Sequence, residues 1–273
     1  MLREISDIQD IQRVLHGLLR HLKTVCRAHG LTFFLSNGTL LGAAKYGDFI
    51  PWDDDIDILM PREAYDKLLQ LTDIQTDTYA LLSSSNFPRW RMPYAKLTDT
   101  RTLLQEGTYD FGAELGVAID IFPIDNWHPC RPVAAFQAIH SELLKRLLVA
   151  SNSEQFYTDK RGVKKIILCA IWRTGQRLGH QTIRERIERR AIRSHRHPPV
   201  HVGCVVWTCH SYHEVLPASA FATQKQLPFG GEDFPVPGEY AIYLSHLYGD
   251  WRQELPPEKQ VSNHNIKVWW KYE

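Results

Sequence analysis

The stretch LSNGTLLGAAKYGDFIPWDDDIDILMPR, residues 35–62, sets Asp53, Asp54, Asp55 and Asp57 directly before an apolar Ile58-Leu59-Met60. The pattern predicts a strand over 54–60. Side chains on a strand alternate faces, so Asp53, Asp55 and Asp57 share one face if the strand is regular through them. Ile56 and Ile58 then point into the core. Neighbours two apart on a strand lie roughly 6.7 Å from each other. At an effective dielectric of about 20, each like-charged pair at that distance costs about 2.5 kcal/mol. Three partly buried carboxylates so placed take up protons or bind a cation. A hard divalent ion prefers oxygen ligands, and Mg²⁺ uses one or two carboxylates together with substrate phosphates.

Two nearby features point the same way. Asn37-Gly38 is a break, and Thr39 is read as the cap of a helix running from Leu40 to about Tyr46, whose free N–H groups suit a phosphate. Downstream, Asp120 is the charged residue of an otherwise apolar strand, Val117 to Phe122, where an unpaired carboxylate is expensive; it is expected at the same site. Glycine and hydroxyl at a helix start, paired aspartates on a strand and a lone carboxylate on a later strand form the layout of a nucleotidyltransferase fold. In that layout the paired carboxylates hold metal, and the third helps ligate it or deprotonates the attacking hydroxyl. The competing reading is a solvated acidic turn, or an N-cap for the helix at Pro61. It leaves Asp57, enclosed by Ile56 and Ile58, without an explanation.

Around this centre, apolar spacing predicts a helix over 6–29, a short strand over 31–35 and a helix opening at Pro61. Segments 94–98, 102–105 and 117–122 read as strands of one sheet, and 132–150 and 163–195 as helices. The expectation is one α+β domain over 1–273, a mixed β-sheet flanked by helices, with a helical segment inserted at about 132–197. The 273 residues are 44% hydrophobic and 23% charged, the balance of a globular chain. A net charge of +1 excludes strong whole-protein attraction to nucleic acid. The longest uncharged apolar run, Ile166 to Trp172, is seven residues, too short to span a bilayer, and the charged N-terminus lacks a signal-peptide core. A cytoplasmic protein is expected, and five scattered cysteines argue against a disulfide framework.

Charge is uneven along the chain. Lys160 to Arg196 holds twelve Lys/Arg against two Glu, net +10, which leaves −9 for the rest of the +1 chain. Such a stretch suits peripheral contact with the inner, anionic membrane surface. The reading preferred on sequence is a solvated basic face whose apolar side, Ile166 and Ile167 included, packs on the core. His201, Cys204, Cys209, His210 and His213 lie within thirteen residues, but their spacing fits no common zinc finger. "VVWTC", 205–209, reads instead as a strand with buried cysteines. Phosphate-loop, dinucleotide-binding and nucleophile-elbow motifs are absent.

The stretch NGTLLGAAKYGDFIPWDDDIDILMPREAYDKLL resembles the signature of the LicD family, the phosphocholine transferases of bacterial surface glycans, to which fukutin and fukutin-related protein are similar. The likeness continues through AKLTDTRTLL (95–104), GVAIDIFPID (116–125), LPFGGEDFPVPGEYAIYLSHLYGDWRQELPP (227–257) and VSNHN (261–265). It covers roughly 31–125 and 205–267. The resemblance implies transfer of a phospho-alcohol from a CDP carrier to the hydroxyl of an oligosaccharide or glycolipid acceptor, with CMP released. It implies Mg²⁺ or Mn²⁺ on Asp55 and Asp57, with Asp53 beside them and Asp120 as third ligand or general base. Gly38 and Thr39 would hold the diphosphate, Lys96 would neutralise it, and His264 of the terminal motif would contact the donor. The basic residue that the family often carries a few positions earlier is Gln260 or Val261 here. CDP-choline is the expected donor, and a trimethylammonium cargo would want an aromatic cage; Trp52, Trp90 and Tyr94 are near the motifs, with ordinary core packing the preferred reading for any one of them. The alternatives are a ribitol or glycerol phosphate cargo, nucleotidyl transfer from an NTP, and a non-catalytic glycan- or membrane-binding module.

Overall fold

The computed structural model describes residues 2–271 apart from 108–109, 154, 157, 257, 259 and 263–265. The chain opens with β1 (Arg3–Glu4) and α1 (Ile8–Ala28), whose first turn is capped by the Asp7 carboxylate accepting from Gln9 N–H. Then come β2 (Phe34–Leu35), α2 (Asn37–Tyr46), β3 (Asp57–Pro61), α3 (Arg62–Leu68), β4 (Tyr79–Leu82), β5 (Ala95–Asp99), β6 (Thr102–Glu106) and β7 (Ala118–Trp127). Three helices follow, α4 (Arg131–Ser151), α5 (Val163–Leu178) and α6 (His180–Ser194). The remainder holds β8 (His201–Gly203), β9 (Leu216–Pro217), the hairpin β10 (Gln224–Phe229) and β11 (Glu232–Pro237), α7 (Tyr240–Tyr248) and β12 (Ile266–Trp270).

The central sheet is mixed, in the order β2-β3-β7-β5-β4. β3 and β7 run parallel, and the other pairs are antiparallel. β7 is long enough to serve two sets of neighbours. Its first half pairs with β3 and β5, whereas Asp125, Asn126 and Trp127 pair with β8. Pro123 is tolerated inside this strand because β5 has already left it at Ile121, so no ladder bond is lost on that side. The apolar stripe of α1, centred on Leu15, Leu18, Leu19 and Leu22, is wholly buried, and the helix lies against β5 and β7.

Several expectations are corrected. The strand after the aspartates begins at Asp57, not at 54: Asp53 N–H is held by the Ile50 carbonyl in a turn, and 53–56 are irregular. Asp53, Asp55 and Asp57 therefore do not line up on one regular strand. α2 starts at Asn37 with Ser36 in the cap position, so Thr39 lies inside the helix and caps nothing. Pro61 closes β3 and sits just before α3 rather than within it. β6 belongs to a separate three-stranded sheet, β1-β12-β6, because its partner β12 lies at the far end of the chain. Residues 205–209 form bends, not a strand. In α5 only Gly175 is fully buried; Ile171 and Leu178 pack on the core, while Val163, Ile166 and Ile167 are exposed.

Candidate active site

The register of three adjacent strands places Asp57 on β3 beside Asp120 on β7, and Asp120 beside Lys96 on β5. Register partners on neighbouring strands project to the same face at a spacing of about 4.8 Å, so the three side chains form a row across the sheet. Lys96 ion-pairs with Asp120. Burial depresses the Lys96 ammonium, but the Asp120 charge and hydrogen bond more than offset this and hold its pKa above the usual value. Asp57 stands well above the ordinary carboxylate range, first because it is buried and then because Asp55 and Asp120 lie close.

Local structure explains how Asp57 is presented. Thr39 is buried, and its hydroxyl accepts from Asp57 N–H at 2.9 Å, tying the first residue of β3 to α2. Asn37 Nδ2 donates to Asp57 Oδ2 at 3.0 Å. Asn37 itself has φ 46°, a left-handed backbone that asparagine tolerates better than most residues. Tyr243 of α7 holds it there, its hydroxyl donating to Asn37 Oδ1 at 3.0 Å and accepting from Asn37 N–H at 3.3 Å. This Tyr243–Asn37–Asp57 chain was not anticipated from the sequence. The one local signal for it was the Asn-Gly dipeptide.

The row opens into a cavity of about 280 Å³. Its lining includes Asp54, Asp55, Asp57, Glu106 and Asp120 against Lys96, five carboxylates to one ammonium, together with Tyr94, Phe111, Phe122 and Trp207. Asp54 also accepts from the Ser262 hydroxyl at 2.8 Å, which brings the described part of the terminal motif onto the acidic loop. His264 lies outside the described residues. Asp53 faces a second cavity, of about 450 Å³, shared with Gly38, Trp52 and Tyr248. A side chain at Gly38 would meet Asp53 Oδ2 at 2.9 Å, so glycine permits this approach of loop and helix.

Of the three aromatic residues offered for a cage, Tyr94 lines this cavity. Trp52 lines the second cavity, and Trp90 is buried with its Nε1 donating to the Tyr94 carbonyl at 2.8 Å. Trp207 faces Tyr94 at 5.3 Å between ring centres, and Phe122 does so at 4.5 Å. Among the described residues, no three His, Cys, Asp or Glu side chains are grouped closely enough to hold a metal by themselves, either here or among His201, Cys204, Cys209, His210 and His213. Burial and the neighbouring Glu214 push the Cys204 thiol well up, away from the thiolate that zinc needs, while Cys209, expected to be buried, is exposed. The acidic cavity does suit a hard cation. Its carboxylates are oxygen donors that outnumber the one ammonium among the described lining residues, and Mg²⁺ in such sites takes its remaining ligands from water and phosphate.

Two carboxylates and an ammonium thus face a cavity on a mixed sheet, and comparison with known proteins shows what this part of the chain is similar to. Residues 30–129 match the family described as LicD/FKTN/FKRP, nucleotidyltransferase domain. The lipopolysaccharide cholinephosphotransferase LicD of Haemophilus influenzae is 24% identical over 267 residues, 95% of this chain and 96% of that protein. The ribitol 5-phosphate transferase FKRP of Homo sapiens is 46% identical over 46 residues, 17% of this chain and 9% of that protein. Mannosyltransferase regulator 4 of Saccharomyces cerevisiae is 39% identical over 57 residues, 21% of this chain and 5% of that protein. Residues 30–129 thus carry a LicD/FKTN/FKRP nucleotidyltransferase domain, and the chain is similar along nearly its whole length to a LicD-type phosphotransferase.

Proposed function

We propose that the protein transfers phosphocholine from CDP-choline to a sugar hydroxyl of a bacterial surface glycan, lipopolysaccharide by analogy with its relative, and releases CMP. The observation that carries this reading is the row Asp57–Asp120–Lys96, set in a cavity with five carboxylates and one ammonium. A diphosphate cannot enter such a field without a cation. Asp55, Asp57 and Asp120 are the residues that would hold Mg²⁺ or Mn²⁺ (Asp53 stands behind them), and the ion would screen the diphosphate and polarise its phosphoryl oxygens.

In this reading the acceptor oxygen attacks the phosphorus that carries choline, and the bond from that phosphorus to the CMP oxygen breaks. Asp120 takes the hydroxyl proton, and Lys96, already hydrogen-bonded to it, compensates charge at the diphosphate. Gly38 offers its backbone to the diphosphate at the start of α2, while Thr39 acts indirectly by fixing the start of β3. His264 is proposed to contact the donor. Tyr94, Phe111, Phe122 and Trp207 supply the electron-rich faces that a quaternary ammonium prefers. We read the catalytic unit as a nucleotidyltransferase-like fold with α4–α6 inserted into a single domain, working on the cytoplasmic side.

The second reading is a ribitol or glycerol phosphate cargo, favoured by the 46% local identity to the ribitol 5-phosphate transferase. Incubating the protein with CDP-choline, CDP-ribitol or CDP-glycerol, Mg²⁺ and a glycan acceptor, and following CMP, separates the two. CMP from CDP-choline alone supports the first reading. CMP from another CDP-alcohol supports the second, and pyrophosphate from an NTP, with no CMP from any CDP-alcohol, overturns both.

A further inference from the structure

Helix α5 meets α4 near its own C-terminal end. The backbone of Leu147 and Ser151 fills the space a Gly175 side chain would occupy, and the Gln176 amide donates to the Ala150 and Ser153 carbonyls at 2.9 and 2.7 Å. From Val163 to Gly175 is about 18 Å of helix at 1.5 Å per residue. The earlier turns therefore run past the end of α4. Every residue from Lys160 to Ile167 is exposed, as expected of a helix tip without protein around it.

What this tip displays is chemically specific. Val163, Ile166 and Ile167 are 71%, 69% and 53% exposed, a large apolar surface to leave in water. Arg161, Lys164, Lys165 and Arg173 surround them, and none of these four pairs with a carboxylate among the described residues. An open groove of about 650 Å³, lined in part by Phe156, Ile166, Cys169 and Ala170 with Lys165 and Arg173 beside them, runs along the same helix. Apolar residues ringed by unpaired cations match the boundary between acyl chains and anionic headgroups. A symmetric contact with a second copy would press like charges together, which disfavours self-association.

Helix α4, on which α5 packs, also reaches the acidic cavity. Lys145 donates to the Thr208 carbonyl and lies 5.7 Å from the centre of the Trp207 ring, and Trp207 lines that cavity. Lys145 is about 9 Å of helix from the end of α4 at Ser151.

We infer that the N-terminal turns of α5 are a docking device for an anionic phospholipid bilayer. Val163, Ile166 and Ile167 enter the interface, and Arg161, Lys164, Lys165 and Arg173 engage headgroup phosphates, which would keep the active site close to a membrane-held acceptor. The inference goes beyond the proposed reaction and does not depend on which CDP-alcohol is used.

The test is flotation of the full chain with vesicles of phosphatidylcholine alone or mixed with phosphatidylglycerol, comparing wild type, I166D/I167D and K164E/K165E. Wild type is expected to float with the phosphatidylglycerol vesicles, poorly with phosphatidylcholine alone, and less as salt is raised. K164E/K165E should bind at least about 30-fold more weakly, from roughly fivefold per basic residue, and I166D/I167D should also be lost from the vesicles. Both variants should keep the wild-type melting temperature, because the altered side chains touch no core residue. Wild type that stays unbound at low salt, variants that bind as well as wild type, or a wild-type dimer that I166D/I167D dissolves would each overturn the proposal. Because the readout is binding, failure of the CDP-choline reading leaves this result interpretable, and the reverse holds too.

Discussion

Strand β7 carries two aspartates five residues apart whose surroundings are opposite in charge. Asp125 is fully buried, and its two oxygens accept from Arg62 Nε and Nη2 at 2.7 Å each, with His195 Nε2 at 2.8 Å from one of them. Its negative charge is answered within the fold. Asp120 faces Lys96 but stands beside Asp57, with Asp55 on the same cavity, and the carboxylates there outnumber the ammonium. A buried charge that the fold neutralises belongs to stability; like charges gathered at the wall of a cavity suit a partner from outside. The contrast separates the structural end of the strand from the end proposed here as the working end.

The largest expected effect is on turnover. Asp57→Asn should abolish CMP release by orders of magnitude yet leave the melting temperature equal or higher, since it removes a carboxylate that burial and its neighbours already disfavour. Parallel assays of turnover and thermal unfolding check this, and a turnover near wild type would erase the distinction between the two ends. Asp125→Asn should do the reverse. Removing the buried charge that Arg62 and His195 face should cost about 3–5 kcal/mol in a denaturant titration, with metal and nucleotide binding retained in whatever fraction stays folded.

Next comes the support of the working end. Tyr243→Phe removes the hydroxyl that accepts from Asn37 N–H and donates to Asn37 Oδ1, and should lower kcat roughly 10- to 100-fold, as for the outer partner of a ligand. KM for the donor should change less than kcat; a shift confined to KM would indicate a binding contact instead.

The smallest effect is in pH. Glu214 is buried with its pKa raised from 4.5 to about 7, chiefly by burial, despite hydrogen bonds from Cys209 and His210 N–H. Between those values the folded chain keeps a proton that the unfolded chain has released, so this group's stabilising contribution falls as pH rises from 4.5 to about 7. Glu214→Gln should flatten the pH dependence of the melting temperature across that window. An unchanged slope would remove Glu214 as its source.

The working end was partly legible in the sequence because its signal is local. Asp57 enclosed by isoleucines and Asp120 alone in an apolar strand each demand an explanation by themselves. What the sequence hid was contact at long range. Asp125 lies in the same motif as Asp120, but its partners are 63 and 70 residues away, and Tyr243 is 206 residues from Asn37. The register of β3 was misjudged because alternation continues through 53–57 while the backbone turns at Asp53. β6 joined the wrong sheet for the same reason that Tyr243 was missed: β12 is distant in the chain. In α5 the periodicity revealed an amphipathic helix, but no pattern in one sequence says whether a neighbour covers its apolar side.

The most direct test of the charge imbalance is the change in melting temperature produced by Mn²⁺ and CDP together, measured on wild type and Asp57→Asn. Ligands that bind only the folded state raise its stability by mass action. The account predicts a clear upward shift in wild type that vanishes in the variant. No shift in wild type at saturating Mn²⁺ and CDP, or an equal shift in both proteins, would contradict it.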